Sequence, residues 1–181
     1  MAATVNRRTP LHQGRVFRMV RENVTLDNGV STDLDYIEHP GAAAIVPLIA
    51  PGEVLLVRQY RHALKQYIWE VPAGTLDPGE PVLGCARREL IEETGYAAEV
   101  WHHLGEITPV PGYSDERIHL FLASELSAAR QELDADEVLA VHRMPLAQAL
   151  DMIARGEIQD AKSICALLLA QKRLNHPLPA L

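Results

Sequence analysis

Glu89, Glu92 and Glu93 follow one another at i, i+3 and i+4, with Arg88 directly before them and Glu80 a short loop upstream. On a helix this spacing gathers the three carboxylates on one side. Glu89 and Glu93 fall beside the apolar stripe of Val82, Leu83, Ala86 and Leu90, at the margin where a helix meets the rest of a protein. A like-charged i,i+4 pair costs about 0.2–0.5 kcal/mol even on an exposed helix, and more as burial lowers the dielectric. Glutamates ionise at about pH 4.3, so at neutral pH such a cluster needs a positive partner. Arg88 can pair with Glu92 but cannot neutralise the set. A hard divalent cation can, because Mg²⁺ is held by one or two carboxylates together with substrate phosphate oxygens. The plain alternative is a solvated acidic face with one salt bridge, and the surrounding residues decide between the two.

The elements that must position these groups are legible in outline. Pro81–Thr94 is the clearest helix, with proline at its start and Gly95 as its stop. The loop Pro72–Glu80 precedes it. Strands are expected over Ala42–Leu48 and Val54–Tyr60, joined across Pro51-Gly52, and over Ile68–Val71, Glu99–Thr108, Ile118–Ser124 and Val138–Arg143. Helices are expected over Leu146–Arg155 and Asp160–Asn175. Upstream, Arg15–Leu26 and Ser31–Glu38 read as a hairpin across Asp27-Asn28-Gly29, and the first ten residues as a loose arm. His39-Pro40-Gly41 breaks the pattern. Residues 1–40 are therefore expected to form an arm and hairpin, and 41–181 the main domain. The element order predicts an α/β fold, a mixed sandwich rather than a parallel doubly wound sheet.

Composition narrows the function classes. The 181 residues are 48% hydrophobic and 23% charged, as in ordinary soluble proteins. No apolar run approaches the ~20 residues of a membrane span. The N-terminus lacks an apolar signal core, so export by the usual signal route is expected to be absent and the cytoplasm is the expected location. Two cysteines, Cys85 and Cys165, fit a reducing compartment and read as packed thiols. A net charge of -7 argues against bulk binding of nucleic acid or anionic membrane. It leaves room for a small anion brought in with a cation. None of the eight histidines sits in a His-Glu-x-x-His spacing, and His102 and His103 are neighbours on a predicted strand, facing opposite sides.

From Gly74 the chain runs GTLDPGEPVLGCARRELIEETGY. Gly74, Glu80, Arg88, Glu89, Leu90, Glu92, Glu93 and Gly95 all fall on the fixed positions of the Nudix box, and only Tyr96 departs mildly from it. The chain therefore resembles a Nudix hydrolase, and the likeness in layout extends from about Ala42 to the last helix. The resemblance implies a Nudix-type α/β/α sandwich with a mixed sheet. It implies hydrolysis of a nucleoside diphosphate linked to another group, with Mg²⁺ or Mn²⁺ as cofactor. Glu89 and Glu93 match the principal metal ligands and Glu92 an auxiliary one. Ala73 matches a ligand through its backbone carbonyl, and Arg88 matches the arginine that orients the glutamates.

Outside the box, Pro111 lies fifteen residues beyond Tyr96. This spacing, Arg58–Arg61 and Ile68–Gly74 all resemble the ADP-ribose pyrophosphatase subfamily, whose near relatives act on GDP-mannose and other sugar nucleotides. By that resemblance Arg61 grips the substrate diphosphate, a task suited to a guanidinium fork, with Arg58 as a weaker candidate. Glu70 and Glu116 match acidic positions near the nucleoside and ribose. Trp69 either stacks on the base or fills the core. The catalytic base is expected in the loop from Glu132 to Glu137; Glu137 aligns best, with Asp134 and Asp136 as alternatives. Such enzymes are commonly homodimers in which the N-terminal segment crosses to the partner, where Phe17 or Tyr36 can offer an aromatic face; a hairpin packed on its own chain is the alternative. A nucleotide-sensing module without catalysis would be expected to have lost box carboxylates, which this chain keeps. Nucleic-acid decapping is disfavoured by the acidic balance.

Overall fold

The structure is a computed structural model describing residues 3–133, 135 and 137–176. By its internal contacts the chain falls into two compact units. The smaller contains the residues up to Gly41 together with Thr108–Arg117, and the larger contains Ala42–Ile107 and the chain from Ile118 onward. Among the described residues no helix is long and apolar enough to cross a membrane.

The smaller unit holds a three-stranded antiparallel sheet in the order β1 (Ala3–Gln13), β2 (Arg18–Leu26) and β3 (Ser31–Glu38). The turn between β2 and β3 closes on Gly29, whose φ of 82° suits glycine. Residues 3–10, expected as part of a loose arm, are strand, because β1 pairs with β2 from Ala3↔Leu26 to Gln13↔Arg18. This strand is exposed along nearly its whole length, so it carries no alternation of apolar and polar residues to read. Backbone pairing and side-chain bonds hold it instead, including Asn6 Nδ2 to Thr25 Oγ1 at 2.8 Å and an Arg8–Glu38 ion pair. The Tyr36 hydroxyl donates to Glu22 (3.2 Å), while Phe17 is exposed. The Thr108–Arg117 segment is stitched to β3 through Ile37 N to Tyr113 O (2.8 Å) and Asp115 N to Ile37 O (3.1 Å).

The larger unit is built on a seven-stranded sheet. Its path is β10 (Leu139–Pro145), β5 (Glu53–Arg61), β4 (Ala42–Ala50), β9 (Ile118–Ala128) and β8 (Tyr96–Ile107), with β6 (Gln66–Glu70) on β5 and β7 (Ala73–Thr75) on β4. Of the strand pairs in this sheet, only β4 and β9 run parallel. The sheet is therefore mixed, as expected. β7 lies inside the segment read as loop. Its three residues are strand only because β4 pairs with them, Ala43↔Gly74 at the centre.

Alternation along β4 and β9 supplies two cores. Ala42, Ala44, Val46, Leu120 and Leu122 face α2 (Leu146–Ala154) and α3 (Ala161–Asn175), while Ala43, Ile45, Phe121 and Ala123 face α1 (Val82–Thr94). Helices on both faces of a mixed sheet give the α/β/α arrangement. Pro81 sits one residue before α1, with extended backbone, rather than in its first turn.

Candidate active site

Helix α1 packs on the sheet through Cys85, Ala86 and Leu90, all fully buried. It ends at Gly95, whose φ of 72° is left-handed and whose N–H closes on Ile91 O. Glu89 and Glu93 lie deeper than the margin expected for them: they are only 7% and 2% exposed. Strand β7 makes this depth possible. The Ala73 N–H donates to Glu93 Oε2 at 3.0 Å. At Gly74 a Cβ would lie 1.8 Å from Glu89 Oε1 and 1.9 Å from its Cδ, so the glycine is there to admit the carboxylate.

Arg88 ties the cluster together. Its Nε and Nη2 take both oxygens of Glu80 at 2.9 Å each. Its Nη1 reaches Glu89 Oε1 at 2.5 Å and Glu92 Oε2 at 3.0 Å, and its Nη2 also donates to Thr75 O at 3.1 Å. This bidentate grip holds the Glu80 carboxyl down to about 2. One guanidinium thus serves three carboxylates. Burial pushes Glu89 up to about 7, against the pull of Arg88, with Glu92 and Glu137 adding to the rise. Burial likewise pushes Glu93 up to about 8, reinforced by Glu89 and Glu137 and opposed by Ala73 N–H and Lys162.

Two buried carboxylates that resist ionisation, with a third acid nearby, form a hole for positive charge. The donor set is all oxygen, which suits a hard divalent ion. Among the described residues no three acidic, histidine or cysteine side chains are already drawn together as a metal cage; Arg88 and the Ala73 N–H engage their oxygens instead. The residues fit a divalent ion that binds by redirecting carboxylates already gathered.

The same burial predicts a pH response. Both glutamates titrate above their ordinary 4.5 when folded, so the folded state holds their protons more tightly than the unfolded chain. Their contribution to stability is full below about pH 4.5 and is lost as pH rises through about 7 and 8. Metal-free protein in EDTA should unfold at a lower temperature at pH 9 than at pH 6, and Mg²⁺ should raise the Tm more at pH 9. A flat or rising metal-free profile across that window would contradict the assignment.

The remaining expected residues are distributed unevenly. Glu137 is near enough to raise both Glu89 and Glu93. Its loop is anchored to α1 by Gln131 Nε2 to Glu93 O (2.5 Å) and Glu132 N to Glu92 O (3.1 Å). Asp134 and Asp136 lie outside the described residues. Arg61 clamps Glu70 with two bonds, at 2.8 and 3.1 Å. Burial lowers the Arg61 pKa, but the bonds to Glu70 and the charge of Glu93 outweigh it and raise the group overall.

Arg58 is not brought to this group. It is exposed, three residues before Arg61 and so on the other face of β5, over the rings of Tyr67 (6.0 Å) and Trp69 (5.8 Å). Trp69 is half-buried against the core, edge-on to His142 with ring centroids 4.8 Å apart. Glu116 belongs to the smaller unit, where it faces His39 Nδ1 at 3.6 Å. Sequence reading did not single out Gln131 or Lys162. Lys162 left one signal: a lysine in the first turn of a helix opposes the dipole there.

Comparison with known proteins gives the family. Residues 38–167 match the NUDIX domain family. The chain belongs to that family, as a Nudix hydrolase. It is 37% identical over 163 residues to an ADP-ribose pyrophosphatase of Bacillus subtilis, covering 89% of this chain and 88% of the relative. It is 38% identical over 145 residues to a GDP-mannose pyrophosphatase of Escherichia coli, covering 75% and 74%. A crystal structure of an ADP compounds hydrolase superposes with a TM-score of 0.85 at 27% identity, covering 97% of this chain and 95% of the other.

Proposed function

We propose that the chain hydrolyses the diphosphate bond of a nucleoside diphosphate sugar, ADP-ribose above all, giving AMP and ribose 5-phosphate. The observation that carries this reading is the buried pair Glu89 and Glu93, short of positive charge and flanked by Glu137. Likeness to an ADP-ribose pyrophosphatase over most of both chains supports the substrate class.

Glu89 and Glu93 hold Mg²⁺, with Mn²⁺ as a substitute, helped by Glu92 and the carbonyl of Ala73. When bound, the metal neutralises phosphate oxygens and lowers the pKa of water. Arg88 keeps Glu89 and Glu92 aimed by holding them from the loop side. Glu137 accepts the proton of the attacking water. Arg61 turns remaining guanidinium N–H groups to the diphosphate, and Glu70 fixes its orientation from behind. Exposed Arg58 lies over the half-buried ring of Trp69, and the two take a secondary part in substrate contact. Glu116 accepts from a substrate hydroxyl. The enzyme works in the cytoplasm as a homodimer, without nucleic acid or membrane as partners.

GDP-mannose is the second reading, favoured by the likeness to a GDP-mannose pyrophosphatase. Purified protein with Mg²⁺ should release AMP from ADP-ribose, read by chromatography. Release of GMP from GDP-mannose with ADP-ribose untouched would move it to the other branch. Binding without turnover in any divalent metal would refute hydrolysis.

A further inference from the structure

Glu70 is 2% exposed, yet two cations converge on it. Arg61 takes both of its oxygens, and Lys162 Nζ reaches Oε1 at 2.5 Å. A single arginine would already neutralise this carboxylate, so a second cation that Glu70 shares with Asp160 calls for a reason. Helix stability does not supply one, because Lys162 stands in the first turn of α3, where the dipole disfavours positive charge.

The surroundings hold Lys162 in place. Asp160 accepts from Lys162 Nζ at 3.0 Å. The same Asp160 oxygen caps α3, accepting from the Ser163 N–H at 2.9 Å and its hydroxyl at 2.5 Å. Ser163 Oγ in turn accepts from the Val71 N–H at 2.8 Å, the residue next to Glu70. The start of α3 is thus pinned beside the strand that carries Glu70.

We propose that Lys162 is a positioning residue for substrate binding: it keeps Glu70 neutralised, so that Arg61 can share its guanidinium with a diphosphate. The inference rests on the reading above that Arg61 grips the diphosphate. An unpaired buried carboxylate is costly, whereas one that keeps a partner is not. With Lys162 present, Arg61 turns partly to a second anion while Glu70 retains a positive neighbour. Without it, Glu70 takes up the whole positive charge of Arg61 and weakens the hold of the remaining guanidinium N–H groups on the substrate. The effect falls on binding rather than on the reacting water, because neither group is the base.

The test uses full-length protein as Lys162→Met, Lys162→Arg and Ser163→Ala. Readouts are KM and kcat for ADP-ribose, calorimetric affinity for inorganic pyrophosphate with Mg²⁺, and Tm. Lys162→Met should raise KM and weaken pyrophosphate binding about tenfold, with kcat within about twofold. Lys162→Arg should restore both. Ser163→Ala loosens the same helix start but keeps the lysine and its partner Asp160, so it should lower Tm and raise KM by less than Lys162→Met does. Unchanged pyrophosphate affinity in Lys162→Met, or an equal rise of KM in Ser163→Ala, would overturn the proposal. If the wild type fails to turn over ADP-ribose, the substrate assignment is wrong, while the pyrophosphate affinities still decide the role of Lys162.

Discussion

Glu93→Gln should cost about 10³-fold or more in kcat, the equivalent of some 4 kcal/mol of lost charge stabilisation in the transition state. The substitution preserves shape. The amide oxygen it introduces can still accept from the Ala73 N–H that now bonds Glu93 at 3.0 Å. It also removes a charge that burial already disfavours, with the carboxyl pushed up to about 8. Metal-free stability should therefore hold, or rise above pH 8, as activity disappears. The decisive pairing is a Tm in EDTA no lower than that of the wild type with a Tm shift on adding Mg²⁺ that is absent. Activity within tenfold of wild type would remove Glu93 from the metal site.

Gly74→Ala should cost about 10²-fold, through a group that touches nothing chemical itself. The added methyl would occupy the place of the Glu89 carboxylate, 1.8 Å from Oε1. β7 is paired to β4 on its other side, so the backbone has little room to retreat. The flexible end of Glu89 is what gives way, taking with it the 2.5 Å bond to Arg88. The enzyme should stay folded, bind Mg²⁺ more weakly, and recover part of its rate at high metal concentration. Wild-type metal affinity in this variant would show that Glu89 does not need its observed position.

Both predictions depend on features of unequal legibility. The carboxylate spacing, the helix and its Gly95 stop could be read directly, because they obey local rules of periodicity and backbone conformation. Strand β3 could be read for the same reason, from its turn. Strand β1 could not, since it is exposed along most of its length and held by its neighbour. Nor could β7: Ala73 and Gly74 disfavour strands and Thr75 alone is too short a run to signal one, so pairing with β4 is what makes the strand. The depth of Glu93 follows from that pairing, so a helical wheel alone places it too near the surface. Arg58 is a weaker candidate from the same Arg58–Arg61 segment, whose likeness to the subfamily does not say which face of a strand each arginine takes. Their odd spacing along β5 separates them in space. Lys162 was hidden because its partner Glu70 lies ninety-two residues away.

The direct stitches between α1 and the segment after β9 have a consequence for how this chain tolerates change. Ala129 N bonds to Gly95 O at 2.8 Å, Glu132 N to Glu92 O, and Gln131 to Glu93 O. The long excursion through β8 and β9 therefore leaves and returns to the same spot, like a loop of rope tied at its neck. The bonds at the neck fix where the chain returns beside α1, so the acids of the helix and the start of the loop that leads to Glu137 keep their spacing independently of changes along β8 and β9.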